Sequence, residues 1–360
     1  MKTKRILPPA TIGIIGAGQL GYYMALEALN MGYKVMTFDP VESSPAHRVA
    51  KAWAYDFNDY EKLERFCKEC DVITYEFENM NLDHIVAIDE QFNLPQGSKM
   101  LLNTAHRHAE IIMAQKLGIP CVKSVYLEDG LKHEEQVATL NYPIILKTCR
   151  FGYDGKGQEV LKEFNKSAIQ GEILASEFIK FDREISIILA RTPHEIQVFP
   201  AIENKHHGGI LDVSKTLSKD VYDTAKNYAK LIAEAMDYVG VMAVEFFVCG
   251  DEVIFNEVAP RPHNSGHYTL EAANKSQFRV HIEALCHLEL GELKNVEEAV
   301  MINLLGQDLL KARTLMGQFE GYHYEYGKDG IKHNRKMGHV IFKGDKAQDN
   351  ARNYQRELKK

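Results

Sequence analysis

Two glutamates interrupt apolar segments of the chain and suggest a metal site. Glu245 lies within the apolar residues 243–248, and Glu257 lies within residues 254–259. A Cys-Gly-Asp turn between the two segments predicts a hairpin, which brings the two carboxylates together. A buried carboxylate needs a partner, and Mg²⁺ is a hard ion that takes oxygen ligands and bridges carboxylates and phosphates. The pair therefore predicts a magnesium site, and the alternative is two solvent-facing glutamates.

A dense set of polar side chains follows this pair. Residues 261–267 read Arg-Pro-His-Asn-Ser-Gly-His. Such side chains supply the donors that stabilise an anionic, phosphorylated intermediate. In isolation the segment is equally typical of a solvated loop. Its position directly after the predicted metal site favours the catalytic interpretation.

A glycine-rich segment with a lysine lies at residues 151–158. Lys156 stands between two of its glycines, and Lys147 ends a predicted buried strand just before it. The spacing does not match a Walker A loop. A glycine loop that carries a lysine still brings backbone donors and positive charge to nucleotide phosphates. The segment predicts a flap over a nucleotide, and the alternative is an ordinary turn with a solvated lysine.

A second glycine motif, Gly-Ala-Gly-Gln-Leu-Gly, occupies residues 16–21. It follows a predicted strand and opens a predicted helix, and Asp39 ends the next strand. This context matches the dinucleotide fingerprint, and amides at a helix N-terminus suit any phosphate. Three interpretations stay open: NAD binding, tight packing of helix on strand, and a seat for the phosphate of another substrate.

The elements that position these residues change character along the chain. Strands at 11–15, 34–38 and 72–75 alternate with helices at 22–31 and 60–68, which predicts a parallel α/β unit. Strands then dominate, with a hairpin of strands at 241–248 and 252–258 and an amphipathic helix at 219–236. A smaller β-rich unit is expected from residue 299, and residues 346–360 are expected to form a helix or a frayed tail.

Composition restricts the class of protein. The chain has 360 residues, 45% of them hydrophobic and 26% charged, with a formal net charge of −7. These values exclude a disordered chain, and the dispersed basic residues give no sign of a nucleic-acid partner. The absence of a long apolar run or secretory signal predicts a soluble, cytoplasmic protein without a membrane partner. Cys67 and Cys70 form a C-x-x-C without a second pair, which is typical of reduced thiols.

Taken together, these motifs resemble the ATP-grasp superfamily and, within it, the 5-(carboxyamino)imidazole ribonucleotide synthases. The resemblance rests on residues 16–21, 75–79, 150–158, 256–267 and 335–339. It implies an α/β fold, α+β in its central part. The implied domains are an N-terminal parallel α/β domain (1–104), a two-lobed ATP-grasp domain (105–298) with a flap near 150–158, and a small β-rich domain (299–360). It also implies a homodimer.

The resemblance implies a purine-biosynthetic reaction. ATP, bicarbonate and 5-aminoimidazole ribonucleotide give the N-carboxylated ribonucleotide, ADP and phosphate through carboxyphosphate, with Mg²⁺, or Mn²⁺ in its place. ATP is expected to contact Arg107, Lys147, Tyr153, Asp154, Gly155, Lys156, Gly157, Gln158, Glu177, Phe178, Ile179, Lys180, Glu184, His206, Asn256 and Glu257. The ribonucleotide is expected to contact Gln19, Leu20, Glu76, Lys328, Arg335 and Lys336. The expected catalytic residues are Asp154, Arg261, His263, Asn264 and Ser265, and the expected metal ligands are Glu245 and Glu257.

Two alternatives to this function remain. One is another ATP-grasp ligase of purine metabolism, such as one that joins formate to glycinamide ribonucleotide. The other is a non-catalytic nucleotide-binding module based on the first glycine motif. The chain also departs from the family pattern, because residues 105–110 read Ala-His-Arg-His-Ala-Glu where the family usually shows Arg-Leu-x-Glu-Lys. A doubled histidine leaves open whether His206 or His207 faces the nucleotide.

Overall fold

The computed structural model describes residues 4–152, 155–165, 167–217 and 222–360. The predictions for Tyr153 and Asp154 therefore lie outside the described residues. Within the described ranges, no helix is both long enough and apolar enough to cross a membrane.

A parallel sheet forms the N-terminal part of the chain, as the alternation of strands and helices predicts. Its strands run in the order β3-β2-β1-β4, and every neighbouring pair is parallel. The strands are β1 (Thr11–Ile15), β2 (Lys34–Phe38), β3 (Lys51–Trp53) and β4 (Val72–Tyr75), and the helices are α1 (Gln19–Asn30), α2 (Tyr60–Lys68) and α3 (Leu82–Gln91). Apolar side chains of β1 and β4 are fully buried between the helices. Helix α1 begins inside the glycine motif, three residues before the predicted start.

A small antiparallel sheet carries the glycine-rich segment. Helices α4 (Lys99–Thr104) and α5 (Arg107–Lys116) lead into it. Its strands are β5 (Ser124–Leu127), β6 (Ile144–Thr148), β7 (Gln158–Leu161) and β8 (Ile173–Glu177), in the order β5-β8-β6-β7. Residues 149–157 connect the antiparallel strands β6 and β7. The predicted flap is therefore the tip of a hairpin.

A large antiparallel sheet forms the centre of the molecule. Along it the order is β14-β13-β9-β11-β12-β15-β17-β16, with β10 paired on β9. The strands are β9 (Arg183–Arg191), β10 (Ile196–Val198), β11 (Ile202–His207), β12 (Ile210–Thr216), β13 (Gly240–Cys249), β14 (Glu252–Ala259), β15 (Ala299–Leu305), β16 (Tyr322–Glu325) and β17 (Lys336–Lys343). The accompanying helices are α6 (Asp223–Ala235), α7 (Thr269–Ala272), α8 (Gln277–Leu285), α9 (Leu309–Leu315) and α10 (Ala347–Leu358).

Helices cover both faces of the large sheet. Ile185 and Ile187 of β9 pack with α6 on one face, and Ile188 of the same strand packs with α8 on the other. Side chains of a strand alternate between faces, so this nearly continuous apolar run serves two cores. The C-terminal strands extend the same sheet, because β15 pairs with β12. The sequence pattern predicts that these strands exist. It does not predict their partners, because the partners lie far away in sequence. The last stretch of the chain is a helix, α10.

Candidate active site

Because the side chains of a strand alternate between the two faces of a sheet, several acidic side chains lie on one face of the large sheet. Glu245 of β13 is the direct partner of Glu257 of β14, so both carboxylates leave the sheet on the same side. Glu245 is also the partner of Ser186 on β9, two residues after Glu184. The carboxylates of three neighbouring strands therefore lie close together, as the predicted metal site requires.

Glu245 is held by hydrogen bonds at the bottom of this face. It is buried, and its Oε1 accepts from Ser186 Oγ at 3.0 Å and from Asn204 Nδ2 at 3.3 Å. Asn204 is oriented in turn by Ser214, whose hydroxyl donates to Asn204 Oδ1 at 2.9 Å. Burial raises the pKa of Glu245, and the charges of Glu257 and Glu184 raise it further. Such a carboxylate gains from a nearby cation.

A three-residue cluster has the donor set of a cation site. Single ligand atoms of Glu184, His206 and Glu245 lie within 4.8 Å of one another. His206 Nδ1 lies 2.7 Å from Glu184 Oε2, whereas the charge of His207 acts on the Asp212 carboxyl. Burial alone lowers the pKa of His206, but its hydrogen bond to Glu184 and the surrounding carboxylates outweigh burial and raise it. The first of the two histidines is thus the one on the acidic face.

Positive charge faces the same carboxylates from the neighbouring elements. Arg107, at the start of α5, lies 3.6 Å from Glu257 through Nη1 and Oε2. Lys147 of β6 projects nearby, and burial, helped by the charge of Arg107, lowers its pKa to about 8. Asn256 Nδ2 donates to Glu184 Oε1 at 3.3 Å. Acidic and basic groups in this pattern suit a metal-bound polyphosphate.

The glycine-rich hairpin closes against the turn that follows His206. A Cβ built on Gly155 would lie 2.5 Å from the carbonyl oxygen of Gly208, and Gly155 has a φ of +76°. At the base of the hairpin, Thr148 N donates to Gly157 O at 2.8 Å. Any side chain at Gly155 would separate the hairpin from the turn. Lys156 is an exposed residue of this hairpin, and Gln158 begins β7.

The expected adenine segment connects the small sheet to the large one. It comprises Glu177, Phe178, Ile179 and Lys180, between β8 and β9. Phe178 N donates to Pro143 O at 2.9 Å. The Glu177 carboxylate accepts from the backbone and side chain of Asn141, both at 3.0 Å, so it stabilises the segment itself.

The first glycine motif binds carboxylates of its own chain. Gly18 N donates to Glu76 Oε1 at 2.7 Å, and Ala17 N donates to Asp39 Oδ2 at 3.0 Å. The positive end of helix α1 favours these negative charges. Cβ atoms on Gly16 or Gly18 would collide with Glu76. This differs from the expected phosphate seat and from NAD binding, because those two amides are occupied by Asp39 and Glu76.

Glu76 marks a second, more basic half of the site. Burial raises its pKa, while the charge of Arg261, the hydrogen bond from Gly18 and the charge of Lys328 oppose that rise. Arg261 Nε lies 2.6 Å from Glu78 Oε1. Gln19 and Leu20 begin α1 immediately beside the Gly18 contact. Of the residues expected at the aminoimidazole end, Glu76 lies within the influence of the Arg261 charge.

His263 is held in one tautomer by the start of the next helical turn. Its Nδ1 accepts from Ser265 N at 3.3 Å and lies 2.9 Å from Ser265 Oγ. A backbone N–H can only donate, so Nδ1 is unprotonated and the ring proton lies on Nε2. Burial lowers the pKa of His263 well below its ordinary value, and the charges of Arg261 and Lys336 add to this. His263 is therefore neutral, with Nε2 as its hydrogen-bond donor.

His263 also joins the two halves of the site. Its Nδ1 lies 3.8 Å from Glu245 Oε1. Asn264 is buried beside it, and both polar atoms of the Asn264 side chain are without a partner among the described residues. Buried polar atoms of this kind are candidates for contact with a ligand.

The segment between β16 and β17 and the first residue of β17 carry the three basic residues that are expected to contact the ribonucleotide. Lys328 Nζ donates to Lys336 O at 2.8 Å and lies near Glu76. Lys336 lies near His263. Arg335 is half-buried and donates through Nη1 to Asp329 O at 2.7 Å. The large sheet explains this meeting, because β17 carries Lys336 into the central unit.

Several residues of the site were not predicted from the sequence. Glu78 and Glu110 are acidic residues within the segments 75–79 and 105–110, Ser186 and Asn204 lie in strands, and Gln96 carries no signal at all. Glu110 Oε1 accepts from Val258 N at 2.6 Å, next to Glu257, and burial raises its pKa to about 8. Polar residues inside apolar strands were the available signal for Ser186 and Asn204.

Comparison with known proteins follows the same division of the chain. Residues 9–104 match the ribonucleotide synthetase preATP-grasp domain, 112–278 the ATP-grasp domain, and 299–353 the phosphoribosylaminoimidazole carboxylase C-terminal domain. The N5-carboxyaminoimidazole ribonucleotide synthase of Bacillus subtilis (strain 168) is 40% identical over 363 residues, covering 95% of this chain and 93% of that protein.

Solved structures give the same result. The N5-carboxyaminoimidazole synthetase of Staphylococcus aureus complexed with ADP has a TM-score of 0.93 and 33% identity, covering 99% of both chains. An ADP complex of N5-carboxyaminoimidazole ribonucleotide synthetase has a TM-score of 0.92 and 37% identity, covering 99% of this chain and 98% of that one. The fold and the site thus define an ATP-grasp ligase. Within that class, the chain belongs to the N5-carboxyaminoimidazole ribonucleotide synthase family.

Proposed function

We propose that this chain carboxylates the exocyclic amine of 5-aminoimidazole ribonucleotide with bicarbonate, consuming ATP, in the cytoplasmic pathway of purine synthesis. Family membership over nearly the whole chain supports the proposal. The observation that carries it is the 3.8 Å contact between His263 and Glu245. It joins an acidic face suited to a metal–nucleotide to a basic half suited to an amine-bearing phosphate ester.

The acidic face fits Mg²⁺ by its chemistry. Glu245 and Glu257 offer hard oxygen ligands on one side of the sheet, and burial together with the charges of Glu257 and Glu184 raises the pKa of Glu245. The ion, when bound, neutralises phosphate charge during transfer. Arg107, Lys147 and the hairpin lysine Lys156 are proposed to hold the phosphates of ATP. Glu184 and His206 are proposed to face the ribose, and residues 177–180 the adenine.

The first chemical step is phosphoryl transfer. A bicarbonate oxygen attacks the γ-phosphorus, the bond to the bridging oxygen breaks, and ADP leaves. In-line displacement of this kind depends on positioning and on neutralised charge, which Arg107 and Lys147 supply from one side. The product, carboxyphosphate, is an activated carboxyl group.

In the second step the amine nitrogen attacks the carboxyl carbon and phosphate leaves with the bonding electron pair. The Nε2–H of His263 and the guanidinium of Arg261 are proposed to stabilise the anionic intermediate, with Asn264 and Ser265 supporting them. Asp154 is proposed from its motif to take the amine proton. Lys328, Arg335 and Lys336 are proposed to bind the phosphate of the ribonucleotide, and Glu76 with the Gln19–Leu20 turn its aminoimidazole end.

A substrate-swapped ADP-release assay tests the proposal. Purified protein with Mg²⁺ and bicarbonate is expected to release ADP rapidly only when aminoimidazole ribonucleotide is added. Formate with glycinamide ribonucleotide is the control for another ATP-grasp ligase. ADP release that the aminoimidazole substrate does not stimulate would overturn the proposal. Light scattering on the same sample tests the proposed homodimer.

A further inference from the structure

A buried polar network centred on Gln96 joins the N-terminal sheet to the central sheet. Gln96 is 1% exposed. Its Oε1 accepts from Tyr75 N at 2.9 Å and from the hydroxyl of Thr74. Its Nε2 donates to Pro260 O at 3.0 Å and to Tyr75 O at 3.3 Å. One side chain therefore ties strand β4 to the end of strand β14.

The direction of every bond on one side of this network is determined. Val241 N donates to His281 Nδ1 at 2.9 Å, so the proton of the neutral ring is on Nε2. Burial lowers the pKa of His281 to about 3, which keeps the ring neutral. His281 Nε2 then donates to Thr74 Oγ1 at 2.9 Å, which leaves the Thr74 hydroxyl to donate to Gln96 Oε1. The amide of Gln96 thus has one orientation.

A tyrosine completes the other side. The hydroxyl of Tyr238 lies 2.8 Å from both Val241 O and Pro260 O, and Gln96 Nε2 lies 3.2 Å from the same oxygen. Tyr238 is fully buried. An unpaired polar atom in the interior is costly, so these groups tolerate little relative movement of the two sheets.

The ends of the network lie beside residues of the basic half of the site. Tyr75 directly precedes Glu76, and Pro260 directly precedes Arg261. Arg261 forms an ion pair with Glu78 at 2.6 Å, and its positive charge opposes the rise that burial causes in the pKa of Glu76. We infer that Gln96 is a positioning residue for the basic half of the site, where the ribonucleotide is proposed to bind. It sets the distance between the segment that carries Glu76 and the segment that carries Arg261.

This inference rests on the proposed function for the identity of the substrate. The position of the network separates an effect on ribonucleotide use from an effect on ATP use. The network bonds to the chain next to Glu76 and Arg261, whereas Arg107 and Lys147 lie on α5 and β6. Loss of Gln96 is therefore expected to impair the use of the ribonucleotide and to leave the use of ATP nearly unchanged.

The test compares Gln96→Met with a matched loss of buried hydrogen bonds. The control, Thr216→Val, removes two hydrogen bonds between β12 and β15. The Thr216 hydroxyl accepts one of them from Ala299 N (2.7 Å) and donates the other to Ala299 O. Gln96→Met is expected to raise the KM for aminoimidazole ribonucleotide by roughly tenfold or more, with the KM for ATP within about twofold. Thr216→Val is expected to lower the unfolding temperature without that split. Equal effects of Gln96→Met on both KM values would overturn the inference.

Tyr238→Phe and a crystal structure make the test independent of the main variant and of the substrate. Tyr238→Phe removes one hydroxyl, keeps the ring, and is expected to give the same KM split in weaker form. The crystal structure of Gln96→Met, or of Tyr238→Phe if the former does not fold, is expected to show Arg261 displaced from Glu78. An unchanged Arg261–Glu78 contact in the variant overturns the inference, whether or not the wild-type protein shows ribonucleotide-dependent turnover. Absence of that turnover in the wild-type protein would instead refute the proposed function.

Discussion

Glu76 Oε1 accepts a hydrogen bond from Gly18 N at 2.7 Å, so the N-terminus of helix α1 holds a carboxylate of the same protein. The dinucleotide-like motif is thereby explained without a dinucleotide. Its glycines leave room for Glu76, whose pKa is raised by burial and lowered by the charges of Arg261 and Lys328. The motif and the carboxylate form one unit, which can be tested directly.

Gly18→Ala is expected to damage ribonucleotide use rather than the fold. A Cβ at this position would lie 2.9 Å from Glu76 Oε1, so the carboxylate must move. Backbone strain is not added, because Gly18 has a φ of −68°. We expect kcat/KM for aminoimidazole ribonucleotide to fall by roughly tenfold or more, measured by ADP release. Gly291→Ala is the control: its Cβ meets nothing within 4 Å but its φ of +65° strains the backbone, so it is expected to lower the unfolding temperature and to leave kcat/KM unchanged. A similar loss of kcat/KM there would contradict the prediction.

Glu257→Gln is expected to remove most of the turnover while the protein stays folded. The change deletes a charge from the proposed metal site but keeps the shape of the side chain, which is half-exposed. A metal contributes several kcal/mol to such a transfer, so kcat should fall by roughly 100-fold or more. ADP release and circular dichroism provide the measurements. Glu252→Gln, on an exposed residue of the same strand, should be silent, and wild-type turnover in Glu257→Gln would refute the metal assignment.

Arg335→Ala is expected to separate the two substrates. A charge-assisted hydrogen bond to phosphate contributes roughly 1.5–3 kcal/mol, which corresponds to a rise in KM of roughly 10- to 100-fold. We expect that rise for the ribonucleotide and almost none for ATP, in initial-rate measurements that vary one substrate at a time. Equal increases for both substrates would count against a phosphate-binding role. Arg352→Ala, on the exposed face of α10, serves as the control.

The pH dependence of ATP use should reveal Lys147. Its pKa is lowered to about 8 by burial, with Arg107 adding to the effect. The charged form, which attracts phosphate, is therefore lost as pH rises through that value. We expect kcat/KM for ATP to fall by roughly tenfold per pH unit above about pH 8, because this ratio reports on the free enzyme. Lys147→Arg keeps its charge, so the same fall in that variant would assign the ionisation elsewhere.

Local sequence patterns were sufficient for much of the fold. The strands Thr11–Ile15, Lys34–Phe38 and Val72–Tyr75 and the helix Tyr60–Lys68 have the predicted bounds. The hairpin of β13 and β14 is confirmed as well. These elements depend on short-range periodicity, turn residues and caps, such as Asp59, which accepts from Lys62 N at the start of α2. Helix α1 begins earlier than predicted, because Gln19 and Leu20 of the glycine motif are already helical.

The sequence by itself determined which chemical groups this protein has: the two strand glutamates, the glycine hairpin with its lysine, and the Arg-Pro-His-Asn-Ser-Gly-His segment. Only the tertiary structure decided which groups are free to meet a substrate. In the folded protein, Glu76 and Asp39 accept hydrogen bonds from amides that the sequence predicts as phosphate donors. The backbone N–H of Ser265 donates to Nδ1 of His263. Hydrogen-bond partners distant in sequence leave no local pattern, because their meeting depends on the packing of whole sheets.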